Sequence, residues 1–165
     1  MQSISSKDTS IAQVSKAITT FETKFGFRKG SVILDYGGGR YDLAIDYMKK
    51  RGCRLVVYDP FWRSAEYNKK SLDTFKQHPD YITCANVLNV IKEDNIVEAV
   101  VSRIRRLSRP GTIVCLSIYE GNGTGMGKRT TKGWQRNQKM DSYLPLIRRY
   151  FPNVVKKYGV FIASR

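Results

Sequence analysis

The chain has 165 residues and a formal charge of +15, with 29 Lys and Arg against 14 Asp and Glu. That length suits one domain, residues 1–165, able to bury roughly two thirds of its unfolded surface. No window reaches the ~20 consecutive apolar residues of a membrane span, and the Ser-rich stretch from Met1 to Ser15 lacks the apolar centre of a signal peptide, so a soluble, cytoplasmic protein without membrane association is expected.

In chain order, Ile11, Val14, Ile18, Phe21 and Phe25 fall at three- and four-residue steps, which predicts an amphipathic helix over 9–25 with Thr9 or Ser10 as its N-cap. Ser31 to Tyr36 is a continuous apolar run of the kind buried on both faces of a parallel sheet. Three glycines follow, Gly37, Gly38 and Gly39, and then a helix over 41–51 with Ala44, Tyr47 and Met48 on one face and Gly52 as its stop. Arg54 to Tyr58 completes a βαβ unit and ends at Asp59-Pro60.

A helix over 64–77 is broken by His78-Pro79, and a strand over 81–85 runs into Asn86-Val87-Leu88-Asn89. The stripe Ile96, Val97, Val100, Val101, Ile104 and Leu107 predicts a helix over 93–109, closed by Pro110-Gly111 and followed by a strand over 112–119. Periodicity is lost over 120–139, a glycine-rich basic stretch read as a mobile loop; a loop of that length inside a domain is functional or disordered. A helix over 141–151 and two strands, 154–157 and 159–163, finish the chain. Alternating strands and helices predict an α/β fold, an open and mostly parallel doubly wound sheet between helical layers, with the ligand beyond the carboxyl ends of the strands.

Metal chemistry finds no ligands. His78 is the single histidine, and Cys53, Cys84 and Cys115 are dispersed, two of them inside apolar runs where Cys serves as a small core residue. Charge is unevenly spread: residues 1–99 carry 15 Lys and Arg against 12 acids, and residues 100–165 carry 14 against 2. The second part attracts polyanions by neutralising phosphates and releasing counterions, which points to nucleic acid. The alternative is a solvated basic surface.

Three ligands compete for the glycine turn. A dinucleotide site wants a third glycine where Asp42 stands. A phosphate-binding P-loop fails around Gly127-Lys128, where Arg129 replaces the hydroxyl residue and Asn122 the first glycine. S-adenosylmethionine has no pyrophosphate at its methionine end. The glycines then let backbone approach the amino-acid portion, Asp35 supplies an acceptor near its ammonium, and Asp59, at the next strand end, is placed to accept the two ribose hydroxyls.

With these residues the chain resembles the class I S-adenosylmethionine-dependent methyltransferases from Val32 to about Tyr119: Asp35-Tyr36-Gly37-Gly38-Gly39 is similar to their glycine-rich motif, and Asp59 to their ribose-binding acid. The resemblance implies the Rossmann-like three-layer αβα fold and S-adenosylmethionine as cofactor. It further implies that Pro60 and Phe61 border the adenine and that Asn86, Val87 and Leu88 line the pocket near the sulfonium. Two departures stand out. The 26 positions between Asp59 and Asn86 leave no room for the family's usual helix, strand and helix, so the third-strand region is shortened. Asn86-Val87-Leu88-Asn89 also stands where the amino-methylating DNA enzymes carry a Pro-Pro-aromatic motif, which argues against their mechanism.

In-line methyl transfer draws its acceleration chiefly from proximity, so the candidate catalytic residues are few: Asn86, Asn89 and Tyr119 at the pocket mouth, and Glu120 as a general base, the alternative for Glu120 being that it simply opens the loop. Lys128, Arg129, Lys132, Trp134, Arg136 and Lys139 combine cations with one aromatic, a set suited to phosphates and a stacked base, the alternative being a basic lid that closes over the cofactor with Trp134 as its anchor. The expected function is methyl transfer to DNA or RNA. Transfer to a small molecule or protein, or a binding module without transfer, are the alternatives.

Overall fold

The apolar runs of the sequence become β1 (Val32–Tyr36), β2 (Arg54–Tyr58), β3 (Tyr81–Ala85) and β4 (Ile113–Ser117), and these pair in parallel. The computed structural model describes residues 9–74 and 78–165. Two short strands, β5 (Lys128–Thr130) and β6 (Gly133–Gln135), form a separate antiparallel hairpin. The last pair, β7 (Asn153–Lys157) and β8 (Val160–Ser164), joins the main sheet through antiparallel pairing of β8 with β4. The six-stranded order is β2-β1-β3-β4-β8-β7.

Helices α1 (Lys16–Lys24), α2 (Leu43–Lys49), α3 (Ala65–Asp73), α4 (Asp94–Leu107) and α5 (Leu144–Tyr150) supply the outer layers. Successive strand residues point to opposite faces. Ile33 therefore packs with Ile18, Met48 and Val57 beneath α1 and α2, and Leu34 packs with Ile82, Val101, Ile104, Val114 and Ile147 beneath α4 and α5. This is the expected mostly parallel, doubly wound αβα sandwich. All three cysteines are free and buried, including Cys53 outside the long apolar runs.

Strand order fixes where a ligand can sit. After β1 the chain crosses to one side for β2 and returns to the other side of β1 for β3, so the connections diverge between β1 and β3. Diverging connections leave a crevice at the carboxyl ends of the strands. The shortened third-strand region is also visible: the single described helix α3 lies between β2 and β3, and β2 pairs with β1 alone among the described residues.

Three expectations are corrected. The first helix begins at Lys16, with Ser15 in extended conformation accepting from Ile18 N, because the Ser15 hydroxyl caps better than residues further upstream; Thr9 to Val14 are not helical, and Ile11 is exposed. The stretch 120–139 is not structureless, since it holds the β5–β6 hairpin. The third helix ends at Asp73, and residues 75–77, including Phe75, lie outside the described residues.

Ile104 is 1% exposed at the centre of the α4 contact, whereas Ile96 only borders it. Ile104→Ala is expected to cost about 2–5 kcal/mol by cavity formation, and Ile96→Ala clearly less, as read from urea unfolding midpoints.

Candidate functional site

A cleft opens at the divergence point, lined by Asp35, the backbone from Tyr36 to Gly39, Asp59, Pro60, Phe61, Trp62, Asn86 and Val87. Its floor is the glycine turn. Gly37 has φ +77°, and a Cβ there would strike the Val87 side chain; a Cβ on Gly38 would strike the Asp35 carboxylate. Glycine is thus required twice, once for conformation and closeness and once for closeness alone.

Asp35 is 3% exposed and accepts a 2.7 Å hydrogen bond from Thr83 Oγ1 on the neighbouring strand β3. Burial, opposed by that hydrogen bond and reinforced by the nearby Asp59 charge, pushes its carboxyl up from 3.8 to about 6. Both carboxylate oxygens of Asp59 are engaged with backbone. Its Oδ1 accepts from Phe61 N and Trp62 N, both at 3.0 Å, and its Oδ2 accepts from Gly39 N at 2.9 Å. The acid after β2 therefore binds its own turn and the glycine turn together.

Around this pair the scaffold is dense. Asn68 on α3 accepts from Asp59 N at 2.9 Å and donates to Asp59 O at 3.0 Å. Arg63 donates to Gly39 O and Tyr41 O and pairs with Asp42 at 2.7 Å. Asp42 therefore places a carboxylate at the start of α2, where a dinucleotide fold has glycine. Tyr36 is buried against Tyr58, with ring centroids 4.9 Å apart, and burial raises its hydroxyl pKa. The indole N–H of Trp62 is buried with no hydrogen-bond partner among the described residues.

Asn86 adopts the left-handed conformation, φ +56°, immediately after β3, and its N–H donates to Ser117 O at 2.8 Å. A non-glycine residue there is a local cost that Asn tolerates better than most. The chain then makes a single 3₁₀ turn, Leu88–Val90, which carries Leu88 into the core at 1% exposure. Leu88, expected beside the ligand, is a core residue because the turn rotates it inward.

Glu120 is also placed differently from expectation. Its carboxylate accepts from Met140 N at 2.6 Å and so caps the turn Met140–Tyr143 that precedes α5; it does not line the cleft. Arg136, expected on a target-binding surface, is buried: its guanidinium pairs with Asp94 and donates to Ile91 O and Gln138, and its N–H donates to Asn89 O. It fastens the hairpin to the head of α4. Beside it, Asn89 Nδ2 donates to Gln135 Oε1 at 3.0 Å, while Asn89 Oδ1 is buried without a partner among the described residues. Trp134 is half-buried, with the Lys92 ammonium 5.2 Å from its ring centroid and Gly127 packed against its edge. Lys128, Arg129, Lys132 and Lys139 are exposed.

The cleft also has a wall that sequence periodicity concealed. Ser10, Ile11, Gln13 and Ser15 line it, and Ser10 Oγ accepts from Arg40 N at 3.2 Å. Their apolar spacing imitates a helix, and no local signal distinguishes an irregular strap. Among the described residues no helix is long and apolar enough to cross a membrane, and no group of three or more His, Cys, Asp or Glu is placed to hold a metal ion.

A family model described as a methyltransferase domain matches residues 10–156. A TehB-like SAM-dependent methyltransferase from Corynebacterium glutamicum superposes with a TM-score of 0.55 at 16% identity, covering 92% of this chain and 86% of its own. The glycopeptide N-methyltransferase MtfA, complexed with S-adenosylhomocysteine, gives 0.62 at 11% identity over 93% of this chain and 91% of its own. Phosphoethanolamine N-methyltransferase 2 of Haemonchus contortus, in complex with S-adenosyl-L-methionine, gives 0.55 at 15% identity over 86% of this chain and 37% of its own. At these identities the likeness is one of fold. No curated protein matches the sequence.

Because the folded pKa of Asp35 lies above its unfolded value, the stability it contributes is present below about pH 3.8 and is lost as pH rises through about 6. Asp35→Asn keeps an oxygen for Thr83 and removes the buried charge. It is expected to match the parent's melting temperature at about pH 3, below both pKa values, and to exceed it at about pH 8 by up to about 3 kcal/mol of stability, as followed by thermal unfolding at the two pH values.

Proposed function

The chain belongs to the methyltransferase domain family, and from that premise we propose that it is an S-adenosylmethionine-dependent methyltransferase whose acceptor is a nucleic acid. The residues present fit the cofactor. Asp35 and the backbone of Gly37 to Gly39 suit its charged amino-acid end, and Asp59 keeps spare acceptor capacity at Oδ2 for a ribose hydroxyl rather than a free fork for two. Pro60, Phe61 and Val87 give an apolar border for the adenine. Asp42 stands where a dinucleotide turn has its third glycine, and its carboxylate is paired with Arg63 at 2.7 Å.

When bound, S-adenosylmethionine supplies an electrophilic methyl group that leaves its sulfonium by in-line displacement. The protein's share is positioning, worth roughly 7–11 kcal/mol in favourable cases. Asn86, held at a fixed and strained backbone angle on the cleft wall, orients the acceptor; Glu120 is committed to Met140 N and takes no proton in this reading.

The observation that carries the acceptor is the attachment of the basic hairpin. Gln135 and Arg136 tie it to Asn89 and Asp94, directly after the cleft residues Asn86 and Val87, so exposed Lys128, Arg129 and Lys132 are carried beside the cleft. Trp134 contributes through its cation contact with Lys92 rather than as an open stacking platform. A second reading, transfer to a small acceptor, draws on structural neighbours whose names include a glycopeptide and a phosphoethanolamine enzyme.

Calorimetric titration is expected to show binding of S-adenosylhomocysteine, weakened at least about tenfold in Asp59→Asn, which keeps one acceptor oxygen and loosens the clamp on Gly39 or on Phe61 and Trp62, each tenfold being 1.4 kcal/mol. Labelled methyl transfer should enter DNA or RNA, be abolished by nuclease, and fall steeply with salt. Absence of cofactor binding would overturn the whole reading, and nuclease-resistant label in small molecules would replace the acceptor.

A further inference from the structure

Helix α4 joins two separate positive regions. It leaves the carboxyl edge of the sheet at Asp94, where Arg136 fastens the basic hairpin, and reaches the amino edge at Leu107, about 21 Å away. At that far end Arg105 Nε donates to Tyr150 O at the end of α5, and Arg165 Nη1 donates to Ser108 O just past the end of α4. Arg106, Arg109 and Arg148 are exposed there and have no acidic partner among the described residues. The nearby Glu98 is occupied by Arg149 at 3.3 Å and by the Tyr150 hydroxyl at 2.7 Å.

Compensation of helix dipoles accounts for Arg105 and Arg106 in the last turn of α4 and for Arg148 and Arg149 in the last turn of α5. It does not account for Arg109 and Arg165, which bring more positive charge to an end already compensated. Desolvation, and then the adjacent Arg165, lowers the Arg105 pKa, which places the two guanidinium groups side by side. Every cation of the group is arginine, whose planar fork matches phosphate oxygens in two-point contacts.

We propose that this arginine cluster at the amino edge of the sheet is a second polynucleotide contact, which grips backbone phosphates about 20 Å from the cleft while the hairpin holds the strand beside it. The proposal rests on the nucleic-acid reading above and adds where the rest of the strand lies. At 3.4 Å per phosphate along a stacked strand, spanning both regions takes about 6 nucleotides. A strand shorter than that reaches one region only.

The test compares Arg106→Glu/Arg148→Glu, and its milder form Arg106→Gln/Arg148→Gln, with Lys128→Glu/Lys132→Glu in the hairpin. Fluorescence anisotropy would follow labelled single strands of about 24 and about 3 nucleotides, one longer and one shorter than the span. S-adenosylhomocysteine binding serves as the control for folding. The distal reversal is expected to weaken the long strand roughly tenfold and to flatten its salt slope by about 1.4, with no effect on the short strand or on S-adenosylhomocysteine; the Gln form, which loses the same two phosphate contacts, should flatten the slope equally and weaken binding less. The hairpin variant should weaken both strands. If the parent binds the long strand and the distal variants bind it equally well, the arginine cluster is not a contact and the hairpin reading survives. If the parent binds neither strand, the nucleic-acid acceptor fails and this proposal fails with it.

Discussion

One carboxylate holds the candidate site together. Asp59 takes backbone N–H groups from two different turns, Gly39 after β1 and Phe61 and Trp62 after β2, and thereby locks the carboxyl ends of adjacent strands into one surface. An ionised carboxylate is the right device, since it accepts several hydrogen bonds at once and donates none. Asn68 and Arg63 fix the same unit from α3 and from the turn before it. Much of what the cleft offers a ligand follows from this clamp, because it presents the glycine turn as rigid backbone.

The clamp sits beside a carboxylate of opposite design. Asp35 is buried under the same glycine turn, with Thr83 as its side-chain donor, and its burial works against the charged form. Two acids close together, one satisfied by backbone and one poorly solvated, create a negative focus at the head of β1. Asp42 at the start of α2 adds little to it, since its carboxylate is paired with Arg63. The burial of Asp35 costs stability once its carboxyl is ionised.

Positive charge is organised just as deliberately. Arg63 and Arg40 brace the turns of the cleft, while exposed lysines and an arginine lie on the hairpin and a further set of arginines at the opposite end of α4. A helix spanning the thickness of the sheet is a fixed ruler between the two. Arg136, by contrast, is spent on construction, since its pairing with Asp94 orients the hairpin rather than meeting a partner.

The sequence by itself determined the αβα architecture, the glycine turn with Asp35 and Asp59, the shortened region after β2 and the charge imbalance. Each of these is written in local terms: apolar runs and three- to four-residue spacing encode burial on a sheet or helix, glycines encode tight backbone, and charge is simply counted. Tertiary structure decided the rest. Glu120 is a cap, Arg136 a fastening and Leu88 a core residue because each finds a partner or a neighbour that its own short stretch does not contain, such as Met140 N, Asp94 or the interior beneath α4. Thr9 to Val14 carry helical spacing but form an irregular wall because Ser15 captures the helix start and Ser10 bonds Arg40, thirty residues away. Long-range pairing of polar groups depends on strand order, and strand order emerges only when the whole sheet is assembled.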